Sequence, residues 1–160
     1  HKDMGHALLY KAKKEGDRKK EVWVAYDIKE LEARRVKNGK KRRPVRILPG
    51  SFDPLSVFYF FRMQQLQEGL EFSAPVCDGK TCIAGKARVL KRERIQVSGR
   101  WYDTCLVEPD LGNIRGVFQK TLNAKLQIWV TADNRKIPVM IRSEVAVGSF
   151  TAELVSSDAG

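Results

Sequence analysis

Alternation of apolar and polar residues with a period of two is the feature that most constrains the fold of this chain. Side chains two residues apart lie on the same face of a strand, so this pattern is typical of half-buried strands. It recurs in the segments 8–13, 22–26, 31–37, 40–48, 72–77, 80–97, 101–107, 114–120, 125–131, 137–147 and 150–156. The sequence therefore predicts a mainly β protein, with a strongly curved antiparallel sheet or a partly closed barrel.

Short turn motifs separate several of these segments. Asn38-Gly39 is the dipeptide that best accepts positive φ angles at both central positions of a type I′ hairpin turn. Ser98-Gly99 predicts a second turn, and Gly148-Ser149 predicts a type II′ turn between the last two strands. Pro44 in the strand after Asn38-Gly39 indicates a sheet edge or a bulge, because proline cannot donate to a ladder.

One segment departs from the strand pattern and predicts a helix over about 53–67. Asp53 is suited to be its N-cap and Pro54 its first helical residue. Since the segment is apolar nearly all round, we expect the sheet to wrap around the helix, with Phe58 and Leu66 in the core. Arg62 is the exception on this helix. It either pairs with a carboxylate inside the sheet or, together with Tyr59, faces an anionic ligand in a cavity.

Positive charge is concentrated in the first third of the chain. The net charge is +11, and the 46 residues up to Arg46 carry +9 of it. Such asymmetry is consistent with an anionic partner, such as a phosphate polymer, a lipid headgroup or an acidic protein, but a solvated, solubilising surface is the simpler interpretation.

The densest cluster of cations flanks the Asn38-Gly39 turn. A two-residue turn there places Lys37 opposite Lys40, and beyond that pair Arg35 opposite Arg42 and Arg34 opposite Arg43. Like charges directly opposite one another destabilise a sheet, which predicts an exposed tip suited to a polyanion. The predicted patch is Lys37, Lys40, Lys41, Arg42 and Arg43. No aromatic residue lies within it for base stacking, so nucleic acid is not the expected partner.

No residue pattern of a known catalytic or cofactor site occurs. Both histidines, His1 and His6, lie at the start of the chain, which leaves no imidazole in the body of the fold as a base or metal ligand. Phosphate-binding glycine loops and nucleophile-elbow motifs are absent. We expect no enzyme, no cofactor and no metal. The apolar runs are also shorter than the roughly 18 residues of a membrane-spanning helix, so none is expected.

The three cysteines are Cys77, Cys82 and Cys105. Cys77 and Cys82 flank a short turn and fall on the same face of a hairpin, which suits either a disulfide or two buried thiols in a reducing compartment. Cys105 is expected to be a buried free thiol.

Three stretches resemble a known family: 53–62 with its Asp-Pro-Leu-Ser start, 129–139 with Thr-Ala-Asp-Asn-Arg, and 148–154. Their order resembles domain of unknown function 3108, a family of exported proteins of Gram-negative bacteria, over about Val22 to Val155. The resemblance implies a periplasmic or envelope location, which favours a Cys77–Cys82 disulfide. It also implies a twisted antiparallel sheet around one helix and brings no established activity.

The resemblance further implies strands before His1, so that residues 1–160 are one β domain that lacks the family's first strands and leaves a sheet edge open. Together these observations predict a non-catalytic envelope protein that binds an amphipathic or anionic ligand, such as a lipid, a glycolipid or another polyanion. The alternative is a structural or protein-interaction module that pairs with a protein partner through an open strand edge.

Overall fold

A computed structural model describes residues 5–16, 19–110, 125–145 and 148–157. These residues form one helix, α1 (Ser56–Arg62), and eleven strands: β1 (Leu9–Lys14), β2 (Lys20–Asp27), β3 (Glu32–Lys37), β4 (Lys40–Lys41), β5 (Val45–Arg46), β6 (Glu71–Cys77), β7 (Cys82–Val97), β8 (Arg100–Pro109), β9 (Lys125–Thr131), β10 (Pro138–Val145) and β11 (Gly148–Glu153). The strand predicted over 114–120 lies outside the described residues.

The strands form two antiparallel sheets. The first has the order β1-β2-β3-β4, with β5 also paired to β3, and the second has the order β11-β10-β9-β8-β7-β6. The mainly β class predicted from the alternation is confirmed. No closed barrel is found among the strands of the described ranges.

The chain divides into two compact units. The first comprises His1–Phe61 and Ala74–Ala84, and the second comprises Arg62–Ser73 and Gly85–Gly160. Strands β6 and β7 contribute residues to both units, so the chain passes between the units along these strands.

Two of the predicted turns form as the sequence indicates. Asn38 and Gly39 have φ angles of 50° and 74°, the positive pair that a type I′ turn requires. Ser98 and Gly99, with φ angles of 47° and 80°, close the β7–β8 hairpin in the same way. Pro44 also acts as predicted, because the strand after the first turn is interrupted between β4 and β5.

The predicted turn at Gly148-Ser149 is wrong. Both residues belong to β11, where Gly148 lies opposite Val145 and Ser149 opposite Glu144. The pairing of β10 with β11 continues to Met140 and Glu153. This extended ladder fixes the register and overrides the local preference of a glycine for a turn.

Each unit has its own apolar core. In the first unit it includes the cluster Ala7, Val22, Val24, Tyr26, Ala33, Ile47 and Cys77. In the second unit it includes the cluster Val97, Leu106, Trp129 and Val139. The first core lies on the face of the first sheet to which Val22, Val24 and Tyr26 point, as the alternation in β2 predicts.

The helix differs from its prediction in length and in burial. It ends at Arg62 and not near 67, and no residue within it is buried. Phe58 is 36% exposed, and Leu66 is half-buried beyond the end of the helix, so the prediction that both are core residues is wrong. An aromatic run predicts burial of a segment, but a two-turn helix offers too narrow a face to bury every ring.

The predicted start of the helix is confirmed. The Asp53 Oδ1 accepts hydrogen bonds from the backbone N–H groups of Leu55 (2.8 Å) and Ser56 (3.1 Å), and Pro54 lies in the turn that leads into α1 at Ser56. Asp53 is 4% exposed, so the cap is a buried one. It satisfies donors that the first helical turn would otherwise leave unpaired.

Candidate functional site

The candidate site is the basic hairpin, defined as Lys37, Lys40, Lys41, Arg42 and Arg43. Lys37 is half-buried, and the other four side chains are exposed. Lys37 lies directly opposite Lys40, as predicted, so β3 and β4 close on a like-charge pair. This pair destabilises the hairpin slightly and remains exposed to a ligand.

Hydrogen bonds hold the tip of this hairpin to the neighbouring strand. The Asn38 N–H donates to the Glu21 carbonyl, and the Asn38 Oδ1 accepts from the Glu21 N–H, both over 2.9 Å. The Arg42 N–H donates to the Arg35 carbonyl at 2.8 Å, which keeps the chain beside β3 after β4 ends. The cations are therefore presented from an ordered backbone.

The pairing of Arg34 with Arg43 does not form. Beyond β4 the register shifts by one residue, so that β5 places Ala33 opposite Val45. Arg34 lies instead within 3.8 Å of the Asp27 carboxylate and 3.6 Å of the Glu32 carboxylate. The bulge at residues 42–44 separates the pair that a regular ladder would have opposed.

The five cations of the basic hairpin, unlike Arg34, have no carboxylate within salt-bridge distance among the described residues. Within the part of the chain that the structure describes, no salt bridge involves any of these five residues. Arg34 shows the contrast, since two carboxylates neutralise it a few residues away. The basic hairpin therefore carries positive charge that no carboxylate of the described residues neutralises in a salt bridge.

The strand register distributes these cations over both faces of the sheet. Ala12, Val22, Lys37 and Lys40 lie in one row across four strands, on the core face. The next row comprises Lys11, Trp23, Val36 and Lys41, and it lies on the opposite face. Sequence reasoning missed this second row, because it depends on the β1–β2 and β2–β3 registers and not on the hairpin alone.

A disulfide-closed loop covers the core face beside this hairpin. Cys77 and Cys82 are bridged with an S–S distance of 2.06 Å, which confirms the predicted pairing. Inside the loop, the Asp78 Oδ1 accepts from the backbone N–H groups of Lys80 (2.7 Å) and Thr81 (2.8 Å). These hydrogen bonds fix the conformation of the loop independently of its contact with the sheet.

Gly79 is the point at which this loop touches the first sheet. A Cβ added there would lie 2.6 Å from Val24 Cγ2 and 3.2 Å from Arg35 Cβ. Only glycine fits such an approach, and its φ of 76° also favours glycine. The close contact accounts for the burial of Val24, which is 0% exposed.

Two tyrosines and two carboxylates surround the base of the loop. The Tyr26 hydroxyl donates to the Cys77 carbonyl at 2.5 Å. Burial, followed by the nearby charges of Asp53 and Asp78, raises the pKa of Tyr26 well above its usual range and raises that of Tyr10 as well. Both phenols stay protonated at neutral pH and do not act as bases; Tyr26 is a hydrogen-bonding part of the core, and Tyr10 packs against that core.

The two residues predicted for a ligand cavity are placed as follows. Tyr59 is 55% exposed. The Arg62 guanidinium donates from Nε (3.1 Å) and from a terminal nitrogen (2.7 Å) to the Arg135 carbonyl, and thus caps a turn of the second unit. The ligand cavity itself remains a prediction.

The turn that Arg62 caps is built by Asp133. Its Oδ1 accepts from the Thr131 hydroxyl (2.6 Å) and the Arg135 N–H (3.1 Å). The Thr131 hydrogen bond is the main cause that lowers the pKa of Asp133, although the group is largely exposed. The Thr-Ala-Asp-Asn-Arg motif therefore has a structural explanation.

Cys105, the third cysteine, is a buried free thiol as predicted, and burial raises its pKa. In the described ranges, no group of three or more His, Cys, Asp or Glu side chains is arranged to hold a metal ion. No helix of the described residues is long and apolar enough to cross a membrane.

Comparison with known proteins identifies a family. The family model described as "Protein of unknown function (DUF3108)" matches residues 6–155. Neither the search of curated proteins nor the search of solved structures found a match.

Proposed function

The chain belongs to the DUF3108 family, and we propose that it is a non-catalytic cell-envelope protein that binds an anionic amphiphile, such as a lipid or a glycolipid. The observation that carries this proposal is the basic hairpin. It presents four exposed cations and one half-buried cation from an ordered turn, with no salt bridge to a carboxylate among the described residues. Exposed, unneutralised cations attract phosphate and other anions at modest cost in desolvation.

The proposed location is the periplasm or the cell envelope. Its support is the Cys77–Cys82 disulfide, since such bonds persist in oxidising compartments and are rare in the cytosol. The strand-rich scaffold is proposed to form the curved sheet or partly closed barrel that the alternation predicts, and its support is the two antiparallel sheets.

The test replaces Lys40, Arg42 and Arg43 together by Ser. An anionic membrane surface contributes about 1 kcal/mol per nearby Lys or Arg, so three losses should weaken binding to phosphatidylglycerol vesicles by roughly 150-fold at most. The triple variant should also elute from heparin at lower salt. Its thermal stability should be unchanged or slightly raised, because the Lys37–Lys40 repulsion is removed.

A matched control replaces Lys29, Arg100 and Lys125 by Ser. These side chains are also exposed and carry the same three charges, but they lie elsewhere on the surface. If binding depends on the basic hairpin, this control binds vesicles nearly as well as the wild type. Equal loss of vesicle binding in both variants would show that net charge, and not the basic hairpin, determines binding. Unchanged binding with a lower melting temperature in the hairpin variant would refute the proposal.

The second candidate function, a protein-interaction module, has one observation in its favour. Among the described strands, β11 pairs only with β10 and stands at the end of the second sheet's order, and all six of its residues are exposed. Such an edge can accept a strand from a partner. A partner bound there would be retained by the hairpin variant and lost on replacing Phe150, 57% exposed, by Lys.

A further inference from the structure

The face of the first sheet opposite its core carries an exposed tryptophan in a row of side chains that begins and ends with a lysine. We call Lys11, Trp23, Val36 and Lys41, which lie in register across β1, β2, β3 and β4, the Trp23 row. Directly opposite residues on paired strands point to the same face, so Lys11 is the direct neighbour of the indole on one side and Val36, which is 7% exposed, on the other, with Lys41 beyond Val36.

Trp23 is exposed although it lies in the middle of a central strand. It is 38% exposed, and Leu9, in the neighbouring row of the same face, is 53% exposed. A large aromatic side chain normally leaves water when the fold offers it cover. An exposed tryptophan with an exposed leucine beside it therefore indicates contact with a partner that has an apolar layer.

The charges around this apolar pair favour an anionic partner. Lys11 and Lys41 are exposed, and in the described ranges neither forms a salt bridge. The carboxylates at the far end of this face, Asp27 and Glu32, lie near Arg34. Glu21, in the next row of this face, lies directly opposite Lys13.

An apolar centre with a cationic border matches the surface of a bilayer. Tryptophan prefers the boundary between headgroups and acyl chains, where its ring is in an apolar layer and its N–H meets water. Lysine side chains of a surface-bound segment reach anionic headgroups from there. A soluble polyanion would use the lysines but would leave the indole and Leu9 in water.

We propose that the Trp23 row is a membrane-contact face that binds the surface of an anionic phospholipid bilayer. Trp23 enters the interface between headgroups and acyl chains, and Lys11 and Lys41 contact headgroup phosphates. This inference rests on the proposed function and specifies its partner as a bilayer surface, with the basic hairpin adding electrostatic attraction.

The test measures partitioning of the Trp23→Ser variant onto vesicles of phosphatidylcholine and phosphatidylglycerol. Removal of roughly 50 Å² of apolar surface from water corresponds to about a tenfold change in partitioning, so the variant should bind about tenfold more weakly. It should keep its affinity for heparin, because the basic hairpin is intact. Trp101→Ser is the matched control, since Trp101 is 58% exposed in the second unit and should not contact lipid.

A second measurement does not depend on the folding of the Ser variant. Vesicles with brominated acyl chains quench a tryptophan that enters the interface. Wild-type emission should be quenched, whereas the Trp23→Phe variant, which keeps an apolar ring, should bind vesicles but lose most of the quenching. Zwitterionic vesicles should produce neither binding nor quenching at physiological salt.

The outcomes separate this inference from the proposed function. Equal vesicle binding and equal quenching in the wild type and both Trp23 variants would overturn the membrane-contact face, while a loss of heparin binding only in the hairpin variant would still support the proposed function. A dimer in sedimentation that dissociates on Trp23→Ser, without vesicle binding, would show that a second copy covers this face and would overturn the inference.

Discussion

Replacing Gly79 by Ala should destabilise the protein more than the same change at any other described glycine with a positive φ angle. The new Cβ would lie 2.6 and 2.7 Å from the two γ carbons of Val24 and 3.2 Å from Arg35 Cβ. Val24 is 0% exposed and stiff at χ1, so its methyl groups cannot move aside cheaply. Either the loop lifts from the sheet or the core of the first unit is overpacked.

The magnitude follows from two contributions. A non-glycine residue at φ near +76° costs about 1–2 kcal/mol. Overpacking by one methyl group adds about 1–3 kcal/mol. Gly39→Ala separates them, because Gly39 has a φ of 74° and no atom within 4 Å of its added Cβ. The control should therefore lose about 1–2 kcal/mol and Gly79→Ala about 2–5 kcal/mol.

Urea denaturation followed by circular dichroism measures both losses, and thermal melting provides a check. For a chain of this size 1 kcal/mol shifts the melting temperature by about 2–4 °C, so the two variants should differ by about 2–12 °C. A difference below about 0.5 kcal/mol would show that the disulfide loop does not rest on Val24. The description of this surface of the first sheet would then be wrong.

Two further predictions concern the helix and the second unit. Phe58→Ala should lower the free energy of unfolding by less than about 1.5 kcal/mol because Phe58 is 36% exposed, whereas Phe52→Ala should lower it by about 3–5 kcal/mol because Phe52 is 5% exposed. Urea denaturation of both variants measures these losses, and equal losses would contradict the observed burial. Asp133→Asn should lower the melting temperature at neutral pH, because the lowered pKa of Asp133 in the folded state means that its ionised form stabilises the fold. The difference in melting temperature from the wild type should disappear as the pH falls below about 4 and the carboxylate is protonated. A difference that does not depend on pH would contradict this.

Local chemistry made much of this fold predictable. The Asn38-Gly39 turn and the Asp53 cap depend on backbone requirements that few residue types meet, and both form as predicted. Pro44 interrupts its strand for the same kind of reason. Strand alternation identified the class because period two is independent of how strands associate.

Features that depend on association were predicted less well. The helix is apolar, but the surface that could cover Phe58 is not encoded within the segment, and this residue is exposed. The turn at Gly148 was wrong because the ladder between β10 and β11, and not the glycine, sets the register. The close approach at Gly79 brings together residues 44 and 55 positions apart in sequence, and no local pattern indicates it.

The candidate site shows where a pattern of charges stops being informative. A run of cations predicts a patch, but a β hairpin assigns alternate side chains to opposite faces, so five neighbours in sequence are not five neighbours in space. Lys37 and Lys40 lie on the core face, and Lys41 lies on the other face in the row of Trp23, with Val36 between them. The residues that lie beside the cations therefore determine which face binds a given ligand. Only the second face combines cations with an exposed indole, and for this reason the two faces should respond differently to heparin and to lipid.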